Sequence, residues 1–160
     1  MNELQQILNK ISELASDHAD IRLATLVKAE GSTYRDVGAR MLVEKNSNVY
    51  GTISGGCLEG DVVDTALRLD SKPILKEYDT TSEEDIYWGT GMGCGGKTTV
   101  LIEKLTDVSL YMKLKALLAQ RTRCVALTVF QSSDPDGFTG LGFVSVGSRT
   151  HSIYADLGDV

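Results

Sequence analysis

Two glycine-rich stretches, GTISGGCLEGD (Gly51 to Asp61) and GTGMGCGG (Gly89 to Gly96), each hold one cysteine and together take nine of the chain's sixteen glycines. No other feature constrains the fold as tightly. Glycine lets a backbone turn left-handed and approach a neighbour closely, at a cost of about 0.5–1 kcal/mol relative to alanine inside regular structure. Both windows therefore read as loops. Where side chains are sparse, backbone N–H groups become the natural donors for a polar or anionic ligand, and a sulfur held among them adds a soft ligand. The plainer use of the same residues is two tight turns around small buried cysteines.

With 160 residues and 42% apolar content, the chain is expected to form one globular domain, residues 1–160, with a sizeable core. A net charge of −6 argues against nucleic acid and against an anionic membrane surface, both of which call for a basic stripe. Any anionic ligand must then be held by local donors. No run approaches the roughly 18 apolar residues of a membrane span, and the opening MNELQQILNKISELAS lacks a signal-peptide layout, so a cytoplasmic protein is expected. Cys57, Cys94 and Cys124 are odd in number and widely spaced, which fits reduced thiols better than a disulfide framework. No CxxC occurs and His18 lies far from His151, so neither a structural zinc site nor a four-thiolate cluster is expected within one chain.

Leu4, Ile7, Leu8, Ile11 and Leu14 recur at helical spacing and predict an amphipathic first helix. Strands are predicted over Ile21 to Glu30, Ala39 to Lys45 and Val49 to Ile53, the last two joined by a turn at Asn46 to Asn48. A helix marked by Leu58, Val62, Val63, Ala66 and Leu67 follows the first glycine window, and a strand runs from Ile74 to Tyr78. DTTSEED, with Ser82 three residues before Asp85, predicts a short helix through Ile86 and Trp88. After the second window come a strand from Lys97 to Glu103, a helix marked by Leu110, Leu114, Leu117 and Leu118, and a buried strand from Cys124 to Phe130. Gly142 to Val146 and Ser152 to Tyr154 read as edge strands. Alternating strands and helices after a hairpin place the fold in the α/β or α+β class, as a mixed β-sheet with flanking helices.

Cys57 directly precedes a helix, whose free N–H groups and positive dipole end face its sulfur. That setting suits a soft ligand or a sulfur carrier, although a buried structural cysteine is an equal use of the position. Cys94, between Gly93 and Gly95, has no helix starting at it, and Cys124 in CVALTVF is expected in the core. Arg35 and Arg40 bracket the loop EGSTYRDVGARM, where a guanidinium fork suits phosphate or carboxylate. Glu59, Asp61 and Asp64 fall in the first turns of the helix after Cys57, where complementing the dipole explains them better than acid–base chemistry. Tyr34, Tyr87 and Trp88 are placed to stack on a planar ring, or simply to fill a core. GTGMGCGG spells GxGxxG, but a strand follows it, so it is not a dinucleotide fingerprint.

Taken in order, EGSTYRDVGARM, GTISGGCLEGDV and YDTTSEEDIYWGTGMGCGGKTTVLIE resemble the XdhC/CoxI family of molybdenum-enzyme accessory proteins over Ile21 to Glu103. The remaining residues, 104–160, add a helix and further strands. The resemblance implies a protein that binds the molybdenum cofactor (molybdopterin) transiently, promotes its sulfuration with a cysteine desulfurase, and delivers it to a xanthine dehydrogenase-type molybdoenzyme. On it, Cys57 with Gly55 and Gly56, and Cys94 with Gly93 and Gly95, fall on the family's cysteine motifs, and Arg35 and Arg40 on its GSTYRxxGARM signature. Cys57 would meet the metal or its sulfido group, an arginine with loop amides the phosphate, and Trp88 the pterin.

Val37 stands where many members have proline, which loosens the loop without removing its donors. Many members also continue into a Rossmann-like domain, so this sequence, which corresponds to the N-terminal domain, is expected to be either a single-domain member or a fragment. The resemblance favours a cofactor chaperone without turnover. Its rivals are a sulfur-transfer enzyme working through a Cys57 persulfide and an interaction module that binds the dehydrogenase without cofactor. A homodimer would help one such domain enclose a large ligand.

Overall fold

Seven consecutive residues of IRLATLV, from Ile21 to Val27, are buried, which requires cover on both faces and puts this strand inside a sheet. The structure, a computed structural model, describes residues 2–17, 19–80, 95–133, 140–146 and 149–152. Two compact units make it up, His18–Leu105 and Met1–Asp17 with Thr106–Val160.

In the first unit β1 (Ile21–Gly31) is central, with β2 (Arg40–Glu44) on one side and β5 (Gly96–Lys104) on the other. β3 (Val49–Gly51) pairs outside β2 and β4 (Ile74–Asp79) outside β5, giving the order β3-β2-β1-β5-β4. Every neighbouring pair is antiparallel. The class is thus the second of the two expected, α+β, and the sheet is antiparallel throughout where a mixed one was expected. The physical reason lies in the connections: β1 to β2 and β2 to β3 are hairpins, and β4 enters beside β5 rather than crossing over to run parallel.

The helix after the first glycine window, α2 (Glu59–Arg68), buries Val62 and Ala66 against Ala24, Leu26, Met41, Val43, Val100 and Ile102 of the sheet. Ten residues of helix do not persist alone in water, and a valine such as Val62 withdrawn from solvent stabilises the assembly by about 1.5–3 kcal/mol. Polar contacts fix its first turn: Asp61 Oδ2 accepts from Lys76 Nζ at 2.5 Å and from the Tyr78 hydroxyl at 2.6 Å, both on β4. These two bonds hold the Asp61 carboxyl below its ordinary range against a smaller effect of burial.

In the second unit α1 (Glu3–Ser16) starts at a reciprocal cap between Asn2 and Gln5, with bonds of 2.9 and 3.1 Å. It buries the expected Ile7, Leu8, Ile11 and Leu14 and packs on α3 (Ser109–Ala119). α3 in turn packs on β6 (Cys124–Val129) and β7 (Gly140–Val146), which with β8 (Arg149–Ser152) form a three-stranded antiparallel sheet in the order β6-β7-β8. Two expectations change here. The strand from Gly140 is the middle one and not an edge, and β6 is an edge strand that leaves Val125 57% and Leu127 53% exposed, with Cys124 only half-buried. The short helix expected through Ile86 and Trp88 lies outside the described residues. Among the described residues no helix is long and apolar enough to cross a membrane.

Candidate functional site

Alternating strand direction decides where the motifs go. β1, β3 and β4 run one way and β2 and β5 the other, so the chain leaves Gly31, Gly51 and Asp79 at one end of the sheet and enters Gly96 at that same end. The loop carrying Ser32 to Ala39, the loop from Thr52 to Leu58, and the residues on either side of the second glycine window therefore converge.

Close backbone approach locks them together. A Cβ on Gly96 would collide with the carbonyl oxygens of Ser32 and Glu30, the latter at 2.8 Å, so the end of the second window lies directly against the first loop. Thr80 clasps the same residue: its N–H and its hydroxyl donate to the Gly96 carbonyl at 2.9 and 2.7 Å, and its hydroxyl accepts from the Gly96 N–H at 3.1 Å. Across the cleft, a Cβ on Gly55 would sit 3.0 Å from Tyr34 ring atoms, so the ring lies on the glycine backbone while staying 71% exposed.

Cys57 is free and exposed at this end of the sheet, immediately before Leu58, the residue that opens α2. Leucine cannot cap a helix, and α2 has no side-chain cap; Ser54 instead holds the residues that lead into it. Its hydroxyl oxygen accepts from the N–H groups of Gly56 at 3.1 Å and Leu58 at 3.2 Å, and from the Cys57 thiol at 3.7 Å. Behind Ser54 lies Glu59. One of its oxygens accepts from the Thr52 hydroxyl, from Ser54 N–H at 2.9 Å and from Ile53 N–H at 3.3 Å, and the other accepts from the Ser54 hydroxyl. Burial pushes the Glu59 carboxyl up, but the bonds from Ser54 and Thr52 outweigh it and hold the group at about 2.

Cys57 and Arg35 line one cleft with Tyr34, Thr33, Ser54 and Thr98, and Arg35 is the charged residue of that lining. The space it encloses is about 20 Å3, near that of a single water molecule. A large ligand would lie across this surface, not within it. Arg40 sits apart at the start of β2, where its guanidinium donates to the Gly38 carbonyl at 2.9 Å and holds the base of the loop. Gly55, Gly56 and Gly95 are exposed. Gly93, Cys94 and Trp88 lie outside the described residues, and among the described residues no three His, Cys, Asp or Glu side chains gather to hold a metal.

Sequence reasoning missed Ser54, Thr80 and the partners of Glu59. The signal for Ser54 was a hydroxyl just ahead of a helix that begins with leucine. Its carboxylate partner stands five residues on instead of the three of a reciprocal cap, so the standard pattern does not flag it.

An α+β domain whose motif loops gather a thiol, a guanidinium and an aromatic ring at one sheet end has the makings of a ligand-binding domain. Residues 14–79 match the XdhC and CoxI family. It is 42% identical over 99 residues to a probable xanthine dehydrogenase subunit of Bacillus subtilis, covering 61% of this chain and 30% of that protein. Over 99 residues it is 29% identical to the molybdenum cofactor insertion chaperone PaoD of Escherichia coli, covering 62% of this chain and 31% of that one. The fold resembles the crystal structure of a xanthine dehydrogenase from Bacillus halodurans, with a TM-score of 0.72 and 28% identity over 97% of this chain and 46% of that one. The chain thus spans less than half the length of these relatives.

Proposed function

We propose that this chain binds the molybdenum cofactor across the loop end of its five-stranded sheet and serves the maturation of a xanthine dehydrogenase-type molybdoenzyme. One observation carries the proposal: two loops, Ser32 to Ala39 and Thr52 to Leu58, bring an exposed thiol, a cation and an exposed aromatic ring to a single cleft. The donor set fits the chemistry of the group. Cys57 offers soft sulfur to the metal, Arg35 with the amide of Gly55 suits the phosphate, Gly56, whose N–H is taken by Ser54, shapes the loop, and Tyr34 offers a flat surface to the pterin. Arg40 acts through the loop it braces. Cys94 with Gly93 and Gly95, and Trp88, are further proposed contacts, supported by the motif they belong to in the sequence. The family match and the name of the Escherichia coli relative support the same function.

The role is that of a chaperone: the cofactor is held, presented to a cysteine desulfurase for sulfuration, and passed to the dehydrogenase. A homodimer would cover a cofactor that one cleft leaves open. The small enclosed volume favours one second reading, a module that binds the dehydrogenase without cofactor. Purifying the protein from cells that make the cofactor, and assaying molybdenum and oxidised pterin, separates the two. Stoichiometric pterin that falls several-fold in Cys57→Ala supports the chaperone; capture of the dehydrogenase with no pterin supports the module.

A further inference from the structure

We infer that Glu59 is a positioning residue for Cys57, setting the direction of its sulfur through the hydroxyl of Ser54. The inference rests on Cys57 being the thiol that meets the cofactor. A serine hydroxyl has one proton and two lone pairs. The Ser54 proton goes to Glu59, so the oxygen turns only its two lone pairs to the loop, where the N–H groups of Gly56 and Leu58 and, at the longer distance of 3.7 Å, the thiol of Cys57 share them. Donation to a carboxylate strengthens such a bond and makes the hydroxyl oxygen a better acceptor for the rest.

Glu59 itself has little freedom to turn. Two hydroxyls and two backbone N–H groups converge on it, all from Thr52, Ile53 and Ser54, so the first turn of α2 is pinned to the loop that precedes Cys57. Ser54 is 6% exposed whereas Cys57, one contact further on, is exposed. The arrangement thus runs from a fixed carboxylate through a buried hydroxyl to a sulfur at the surface. A carboxamide at position 59 cannot reproduce it, because one of its two terminal atoms only donates and would face Thr52 or Ser54 donors. The Ser54 proton would then be free to rotate, and the sulfur would lose its fixed acceptor.

The test is peptide-resolved alkylation of the full chain with iodoacetamide, following Cys57 and Cys124 together, beside cofactor retention and the thermal midpoint. In Glu59→Gln and in Ser54→Ala, Cys57 should react roughly three- to ten-fold faster, the equivalent of one hydrogen bond. Cys124 should keep its rate, and pterin retained on purification should fall. Wild-type Cys57 reactivity in folded variants overturns the inference. So does equal acceleration of Cys57 and Cys124, which would mean that Glu59 only supports the fold. Should Glu59→Gln fail to fold, Ser54→Ala keeps the carboxylate and decides alone. Full pterin retention in Cys57→Ala, with Cys57 of Glu59→Gln still accelerated, would sink the functional assignment while leaving the positioning contact standing.

Discussion

IRLATLV in β1 and CVALTV in β6 look interchangeable on paper, yet β1 is buried over seven successive residues while β6 leaves Val125 and Leu127 more than half exposed. Their neighbours differ. β1 pairs on both edges and has α2 packed against one face, whereas β6, among the described residues, pairs on one edge only. An apolar run states a capacity to be buried, and the elements around it decide whether that capacity is used. The contrast also separates the roles of the two cysteines outside the second glycine window: Cys57 is exposed on a loop braced by Ser54, and Cys124 is half-buried in an edge strand.

Four measurements break or sharpen that contrast. Leu26 is fully buried in the core, so Leu26→Ala should lower unfolding free energy in denaturant by about 2–5 kcal/mol; a cost below 1 kcal/mol would show that β1 is not what its burial implies. Gly96→Ala comes next. Its methyl group meets backbone carbonyls that cannot rotate away, and about 1–3 kcal/mol of destabilisation is expected with loss of pterin binding.

The third test concerns pH. The Glu59 carboxyl lies at about 2 in the folded state against an ordinary 4.5, so the folded state binds this proton less readily than the unfolded chain. Its contribution to stability is present above the ordinary value and is lost as the pH falls toward the folded one. Denaturation midpoints followed from pH 5 downward should therefore fall less steeply in Glu59→Gln than in the wild type, and parallel curves would remove the assigned hydrogen bonds. The smallest effect belongs to the edge strand. Leu127→Ala should cost only about 0.5 kcal/mol, and a loss as large as that at Leu26 would erase the difference between the two strands.

Much of the first unit was legible before any coordinates. The first glycine window, the helix after Cys57 and the strands at Ile21, Ala39 and Ile74 follow from periodicity and turn residues, because those signals are local. The cap at Asn2 and Gln5 obeys a known spacing and was nevertheless overlooked. Strand direction was not legible, since pairing of β1 with β5 joins residues 65 to 82 positions apart, from Gly31 with Gly96 to Arg22 with Lys104. Glu59 was recognised as structural but given the wrong partners. Its bonds reach back five to seven residues into a loop, off the helical spacing on which sequence patterns rely.

By itself the sequence determined which segments turn, which run straight and which residues have the chemistry to meet a soft metal and an anion, because each depends on a few neighbouring side chains. Only the tertiary structure decided that β1, β3 and β4 point the same way, and hence that Cys57, Arg35 and Tyr34 share one cleft while Arg40 braces its base. Convergence of that kind is set by the order and direction in which strands hydrogen-bond, a choice made by the whole sheet at once.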